Sequence, residues 1–590
     1  MITIDYNIQS YNAILSSSDN DNSWISIINI CFEEAKETIK TSILSLEIPW
    51  WSFLNIKNDI YFITKSNSVS INLTEQAKQL LLLSRNEIIN LNSPTLTYTE
   101  SDINEKLNKS GFIRILKPFQ FNNLTNLIRF PSGATFSVPG AGKTTEALAF
   151  YSFFKNPRSK LLVVLPKNAF IAWEEQIPEC FSYNPTTVRL TGGYDNIRNI
   201  LYSEPEILLI TYQQLINVYE IVGSYLSKFD SFIFVDESHR IKKGVNGKAA
   251  SAILKLSVVP KHKLVMSGTP MPQDTTDLIP QFNFLYPGIR VTETNIIENI
   301  TKIYVRTTKQ DLGLPLPHFI QTPIKMSSTQ QYLYDIVTDD GKRSVEAYLR
   351  SRDKNILRSI KKSCMLMIQL ISNPALLTNK LPNETLKNIL SLGESPKLNY
   401  VCKKAHSLAK EKTKVLIWSN FVENVEIIAN RLQDLNAVYI HGGVPSGSVN
   451  DVNTREYKIK KFLDDDNCFV MVANPAAACE GISLHSKCHY AIYVDRTFNA
   501  AHYLQSLDRI HRLGSTSEVT IEVLSTNQTI DDTVENRLSQ KAQNMANVLN
   551  DPSIIREYEY SDEDNTEDDD VLGMQEDDIE YILSQVWGVS

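Results

Sequence analysis

No apolar run in the 590-residue chain approaches the roughly 18 residues that a membrane helix requires, so no membrane partner is expected. The first residues, MITIDYNIQS, have neither the basic start nor the apolar core of a secretory signal, and an exported protein is not expected. The seven cysteines include no CxxC pair. Free thiols in a reducing compartment fit this better than a disulfide framework, and the expected location is cytoplasmic. No self-similar period of roughly 20–50 residues points to a solenoid.

What is present is ordinary in amount and uneven in placement. The chain is 42% hydrophobic and 21% charged, as soluble globular proteins are, and is long enough for several domains with real cores. The net charge of −8 would argue against nucleic acid if it were spread evenly. It is not. Between Arg556 and Glu580 there are thirteen acidic residues and one basic residue, and the remaining Met1–Ile555 carries +4. A basic cleft can therefore coexist with an acidic total.

Four regions are expected. Residues 1–110 mix helical and strand-like stretches, including IPWWSFLNIKNDIYFITK, in an N-terminal accessory domain. Residues 111–325 alternate short apolar runs (LLVVLP, EILLITY, SFIFVDE, HKLVMSG) with helical spacing, the pattern of buried parallel strands in an α/β sheet. Residues 326–549 open with helices and repeat the alternation in KVLIWSNF, AVYIHGG, CFVMVANP and AIYVDRTF. Residues 550–590 form an acidic tail whose start is expected to be disordered and whose end, DDIEYILSQVW, has apolar residues at helical spacing.

Two short motifs carry chemistry. SVPGAGKTT, Ser137–Thr145, matches the phosphate-loop pattern except that Ser137 stands where the first glycine belongs. Gly140 and Gly142 let backbone N–H groups wrap phosphates at a helix N-terminus, Lys143 supplies the cation, and Thr144 is a magnesium ligand. Ninety-three residues later FVDESHRIKK puts Asp236 and Glu237 at the end of an apolar run. A carboxylate there can hold magnesium while its neighbour polarises the attacking water. The pair therefore reads as half of a nucleoside-triphosphate hydrolysis site, with Thr144 and Asp236 on the metal.

In order and spacing, these motifs and their neighbours resemble a superfamily-two helicase-type ATPase of the Swi/Snf-like branch, related to DEAD/DEAH-box helicases. The match runs from about Leu116 to about Leu538: LKPFQ, VVLPKNAFIAWEEQ, ITYQQL, DESHRIKK, MSGTPMPQ, YVRTTKQDLGLPLP, QLISNPALL, KVLIWSNF, ANPAAACEGISL and YLQSLDRIHRLGS. The resemblance implies two tandem RecA-like lobes, ATP with Mg2+ as cofactors, and a nucleic-acid-stimulated ATPase. It assigns Gln120 to the adenine base, and Gly140, Gly142, Lys143, Thr144, Thr145, Gly481 and Gln505 to the nucleotide. Arg509 and Arg512 become arginine fingers, a role that guanidinium forks suit because they stay charged and offer several fixed donors. His239, Ser267 and Thr269 couple hydrolysis to movement. Lys167, Thr211 and Asn420 face a nucleic-acid backbone, with Lys242 and Lys243 near the same cleft; such contacts are sequence-blind and salt-sensitive.

The chain departs from the family pattern at several positions. Ser137 and Ser238 replace residues that are commonly Gly or Ala, Ser515 stands where Gln is usual, and Asn474 and Pro475 stand where Thr and Arg are frequent. The compact group Cys479, His485, Cys488 and His489 has no zinc-finger spacing, and Trp50 and Trp51 read as core or partner-contact residues. The expected function is an ATP-dependent translocase on double-stranded DNA that remodels or displaces protein–DNA complexes, in genome maintenance or anti-phage defence. A protein partner is expected at residues 1–110 or at the acidic tail. The alternatives are a strand-separating DNA or RNA helicase and an ATP-gated clamp or switch.

Overall fold

The runs LLVVL, ILLIT, FIFVD and KLVM all lie in strands of one parallel sheet in the computed structural model of the chain. The structure describes residues 1–89, 98–271, 274–351, 354–377, 395–445, 447–478, 484–498, 503, 506–512, 515, 517–551 and 554. The chain divides into two units: Met1–Met271 with Thr275–Thr307, and Pro272–Asp274 with Thr308–Ser590.

The first unit holds two sheets. Strands β1 (Ile2–Asn7), β2 (Asn12–Ser17), β3 (Ile39–Ser42), β4 (Ser45–Pro49) and β5 (Ile71–Leu73) form a mixed sheet in the order β3-β4-β2-β1-β5. Only the β1–β5 pairing is parallel. Alternation along β1 and β2 sends Ile2, Ile4, Ala13 and Leu15 into a core with Trp24, Ile27 and Phe53, which come from the helices Asn22–Glu34 and Trp50–Ser66. Asp21 caps the first of these helices by accepting from the Trp24 amide.

The second sheet is parallel throughout, with order β12-β6-β11-β10-β7-β9-β8. Its strands are β6 (Ser132–Thr135), β7 (Lys160–Leu165), β8 (Thr187–Arg189), β9 (Ile207–Thr211), β10 (Ser231–Asp236), β11 (His262–Met266) and β12 (Tyr304–Val305). The central strands are buried on both faces, so they read as continuous apolar runs instead of alternating ones. Trp51 fastens the mixed sheet's helix to this lobe. Its ring lies over Gly223, where a β-carbon would meet the Trp51 ring at 2.9 Å and Leu256 at 2.8 Å. Trp50 packs within the N-terminal domain, 5.2 Å from Tyr6 and 5.1 Å from Phe53 between ring centroids.

The second unit contains another fully parallel sheet, in the order β13-β18-β17-β14-β16-β15. These strands are β13 (His318–Pro323), β14 (Val415–Trp418), β15 (Val438–Ile440), β16 (Val470–Ala473), β17 (Tyr490–Tyr493) and β18 (Thr520–Ser525). The long helices Ser328–Ser351 and Lys354–Ser372 precede β14 in the chain, and Ile530–Leu549 follows β18. Two parallel α/β sheets in series are the two RecA-like lobes that the sequence led us to expect. No described helix is long and apolar enough to cross a membrane. Apart from Asn550, Asp551 and Ile554, the acidic tail, and with it the expected terminal helix, lies outside the described residues.

Candidate nucleotide site

The carboxyl ends of the first lobe's strands place the predicted residues side by side. In sheet order, β12 is followed by Thr307, β6 by Ser137, β11 by Ser267, β10 ends on Asp236, β7 is followed by Lys167, and β9 ends on Thr211. Open parallel sheets bind ligands at this edge. The phosphate-loop, carboxylate and coupling residues occupy one stretch of it, and the two residues assigned to nucleic acid occupy the adjoining β7–β9 stretch.

The loop after β6 turns through Gly140 and Gly142, both at φ +87°, and enters the helix Lys143–Phe154. At Gly142 a side chain is excluded twice, by the left-handed backbone and by Gln120, whose Nε2 occupies the place of a β-carbon. Gln120 sits in the helix Pro118–Leu127, donates to the Ala141 carbonyl at 3.1 Å and accepts from the Lys117 amide at 3.0 Å. Lys143 Nζ donates to the Ser137 carbonyl at 2.9 Å. Thr144 is half-buried, whereas Thr145 is buried and its hydroxyl is taken by Gln176 at 3.3 Å.

Asp236 is oriented from two sides. Trp173 Nε1 donates to Oδ2 at 2.9 Å, and the Glu237 amide donates to Oδ1 at 3.0 Å. Glu237 is left-handed at φ +52°, a conformation that costs a non-glycine residue about 1–2 kcal/mol. Tyr212 Oη steadies this turn by reaching the carbonyls of both Asp236 and Glu237. His239, 1% exposed, lies 3.5 Å from the Glu237 carboxylate, and its Nδ1 is 3.1 Å from Ser267 Oγ. That hydroxyl accepts in turn from the Thr269 amide at 3.1 Å. Glu237, His239, Ser267 and Thr269 are thus one continuous line of contacts. Ser238, the departure in the Asp-Glu-x-His box, donates to Gln281 Oε1 at 2.7 Å.

The residue set fits a nucleotide with a divalent cation. A hydroxyl at Thr144 and an oriented carboxylate at Asp236 are hard oxygen donors of the kind magnesium prefers, beside a loop whose glycines leave backbone N–H groups accessible. Among the described residues no cluster of three His, Cys, Asp or Glu forms a protein-only metal site, and Cys488, from the Cys/His group, is buried with its thiol pushed up to about 12 by burial.

Four residues the sequence reading passed over, Asn123, Thr135, Glu146 and Thr307, lie behind the phosphate loop. Asn123, one turn after Gln120, donates through Nδ2 to Glu146 Oε1 at 2.9 Å and to Thr307 Oγ1 at 2.8 Å, and lies 3.5 Å from Ser137 Oγ. Thr135 donates to Glu146 Oε2 at 3.0 Å, and the Thr307 amide donates to Ser137 Oγ at 3.0 Å. Burial pushes the Glu146 carboxyl up to about 7, opposed by its hydrogen bonds from Asn123 and Thr135 and by Lys143. The available signal was helical spacing: Asn123 follows Gln120, and Glu146 follows Lys143, by three residues.

In the second unit, Arg509 is 8% exposed within the turn that carries Asp508–Arg512. Burial and the neighbouring Arg509 hold the Arg512 guanidinium below its usual range. Lys309 pairs with Asp508 at 2.6 Å, and its Nζ lies 3.4 Å from His511 Nδ1. Asn420 donates from its backbone and side chain to Asp495 Oδ1, at 2.7 and 3.2 Å. Asn474 donates to the carbonyls of Ser419 and Asn420, so this departure from the family pattern ties two motif loops together. Lys167 and Lys243 are exposed, Lys242 is half-buried, and the Thr211 hydroxyl caps its helix by accepting from the Gln214 amide. Gly481 and Gln505 lie outside the described residues.

Comparison with known proteins agrees with this geometry. The model of the SNF2-related domain matches residues 130–376, and that of the helicase conserved C-terminal domain matches residues 396–514, together more than half of the chain. Similar proteins include the CHD3-type chromatin-remodeling factor CHR7 of Arabidopsis thaliana, 24% identical over 65% of this chain and 33% of that protein. The ISWI chromatin-remodeling complex ATPase ISW1 of Saccharomyces cerevisiae is 22% identical over 72% of this chain and 40% of its own length. A homologue in Caenorhabditis elegans of the SWI/SNF-related matrix-associated actin-dependent regulator of chromatin subfamily A-like protein 1 is 24% identical over 68% of this chain and 57% of its own. The chain spans less than two thirds of each of these relatives.

Proposed function

From a chain that belongs to the Swi/Snf-like branch of the superfamily-two helicase-type ATPases, we propose a nucleic-acid-stimulated ATPase that moves along double-stranded DNA and displaces or remodels the proteins bound to it. The observation that carries this reading is the line of contacts from Glu237 through His239 and Ser267 to Thr269, beside an Asp236 oriented by Trp173. It gives a water-polarising carboxylate a path to a loop that can register whether hydrolysis has occurred. The relatives CHR7 and ISW1 are chromatin-remodelling proteins by name, which favours a duplex-DNA motor among the activities this chemistry could drive.

Thr144 and Asp236 would hold magnesium, which when bound neutralises charge on the β- and γ-phosphates. Gly140 and Gly142 leave room for phosphate oxygens at the N-terminus of the Lys143–Phe154 helix, and Lys143 places its ammonium there. Glu237 accepts a proton from the attacking water. Arg509 and Arg512 act as arginine fingers, a role worth about 10³–10⁵ in rate in enzymes of this kind. Lys167, Lys242, Lys243, Thr211 and Asn420 contribute sequence-blind backbone contacts. Residues 1–110 or the acidic tail would receive a protein partner. Clearing proteins from duplex DNA would serve genome maintenance or anti-phage defence.

The test is steady-state ATPase activity with no nucleic acid, duplex DNA, single-stranded DNA and RNA, with Glu237→Gln as the control. Strong stimulation by duplex, abolished in the variant, followed by displacement of a triplex-forming strand without unwinding of a fork, is the expected result. Preference for RNA or single strands would replace this reading with a strand-separating helicase. Slow hydrolysis that no nucleic acid accelerates, and no triplex displacement, would replace it with a clamp or switch.

A further inference from the structure

The polar group behind the phosphate loop joins four segments of the chain, three of them neighbours in sequence and the fourth 184 residues from Asn123. Asn123 comes from the helix that carries Gln120, Ser137 from the phosphate loop, Glu146 from the helix that Lys143 begins, and Thr307 from the end of the first unit. Each is buried: Asn123 is 5% exposed, Ser137 and Glu146 0%, and Thr307 2%. Buried polar groups persist where their hydrogen bonds are made, and a fully connected set specifies one arrangement of the segments it joins. Here both carboxylate oxygens of Glu146 accept, one from Asn123 and one from Thr135, and the Ser137 hydroxyl accepts from the Thr307 amide.

A glycine at position 137, as the phosphate-loop pattern has it, could not make the Thr307 contact. The serine that departs from the pattern is therefore used, and its use is to tie the loop to the rest of the group. On the other side, Gln120 touches the loop at the Ala141 carbonyl and fills the space beside Gly142. Gln120 and Asn123 are one turn apart on one helix, so the position of the Gln120 amide over the loop is set by two anchors, its own bond to Ala141 and the Asn123 bonds to Glu146 and Thr307.

We propose that Asn123, with Ser137 and Glu146 as its partners, is a positioning residue for nucleotide-base discrimination: it fixes the distance between the Gln120 amide and the phosphate loop. This rests on the reading of the site as an ATPase in which Gln120 meets the base. A base is recognised by hydrogen bonds that tolerate little displacement, whereas phosphates on a loop of backbone amides are held by many donors. Loosening the helix against the loop should thus weaken binding of ATP much more than of GTP.

The experiment is DNA-stimulated hydrolysis of ATP and GTP by the full chain, comparing kcat and KM for the natural protein, Asn123→Ala, Ser137→Gly and Gln120→Ala. The expected result is an ATP:GTP ratio of kcat/KM that falls about tenfold in Asn123→Ala, mainly through KM for ATP, with GTP nearly unchanged. Ser137→Gly deletes a hydroxyl and restores the usual pattern, so it reads the same ratio if Asn123→Ala does not fold. Combining Asn123→Ala with Gln120→Ala should lower the ratio no further than Gln120→Ala alone. A purely structural role would lower activity on both nucleotides equally, and an unchanged ratio in Asn123→Ala and Ser137→Gly would overturn the inference while leaving the ATPase intact. Equal use of ATP and GTP by the natural protein would remove the base-reading role of Gln120, and this inference with it. Failure to hydrolyse either nucleotide would remove the ATPase reading.

Discussion

Trp173 donates its indole N–H to Asp236 Oδ2 at 2.9 Å, from the helix that follows β7 to the strand beside it. The ring is 1% exposed, so the bond is shielded from water. Its consequence is orientational: Oδ2 is held by Trp173 and Oδ1 by the Glu237 amide, so the carboxylate is oriented through both oxygens. Replacing Trp173 with Phe keeps most of the packing and removes the donor. We expect kcat/KM for ATP to fall about 3–10-fold and the magnesium requirement to rise, read by titrating the metal at fixed ATP. An unchanged magnesium dependence would show that Asp236 is placed without the indole.

Gly142→Ala should be more damaging than a methyl group implies. The left-handed backbone costs a non-glycine residue about 1–2 kcal/mol, and the added carbon would also collide with Gln120 Nε2. The expected outcome is loss of nucleotide binding, by fluorescence of a labelled ATP analogue, with a melting temperature reduced only modestly. Gly193, at φ +85° with nothing within 4 Å of its β-position, is the control: Gly193→Ala pays for the backbone alone and should leave nucleotide binding intact.

In the second unit, Lys309 and Asp508 are buried partners 2.6 Å apart. Removing one member of such a pair strands the other charge, at about 3–5 kcal/mol. Lys309→Met and Asp508→Asn should each lower stability to chemical denaturation by that order. The double variant Lys309→Met/Asp508→Asn should lose less than the sum of the two, because neither member of the pair is left charged without the other. Additive losses would mean the pair is not coupled.

His262 is pressed between Phe154 and Phe232, at 4.3 and 4.8 Å between ring centroids, with Nδ1 on the Pro131 carbonyl. Burial holds its pKa down at about 4, against an ordinary 6.5. The folded value lies below the unfolded one, so between about 6.5 and 4 the unfolded chain binds a proton that the folded chain does not. The contribution to stability is complete above that window and is lost as pH falls through it, by ~2 kcal/mol at pH 5. His262→Phe should flatten this part of the pH dependence, measured as denaturation midpoints at pH 7.5 and 5. His511, also held at about 4 by burial and by Lys309, leaves a residual slope. An identical slope in the variant would place the acid sensitivity elsewhere.

The sequence was most informative where the chemistry is contiguous. Gly140 to Thr145 and Asp236 to His239 are read directly because a phosphate loop and a strand-end carboxylate need particular residue types within one turn of backbone, and few other uses demand that order. The parallel sheets were legible for a similar reason: strands covered on both faces must be apolar throughout, as FIFV and LLVV are. The uneven charge was legible by counting alone.

Partnerships across the chain were not. Asn123 meets Thr307 over 184 residues, and Lys309 meets His511 over 202. Nothing in the local pattern around Asn123 or Lys309 marks its partner, since an Asn on a helix or a Lys in a loop is equally at home in solvent. Their pairing follows from strand order. Thr307 reaches the phosphate loop because β12 lies next to β6, a neighbour relation set by how whole apolar faces pack and not by any short stretch of residues. The residue types needed to cleave a nucleotide are thus written along the chain, whereas the contacts that orient Asp236, anchor the Gln120 helix and bury the pair beside Arg509 arise only when distant segments exclude water from the same small volume.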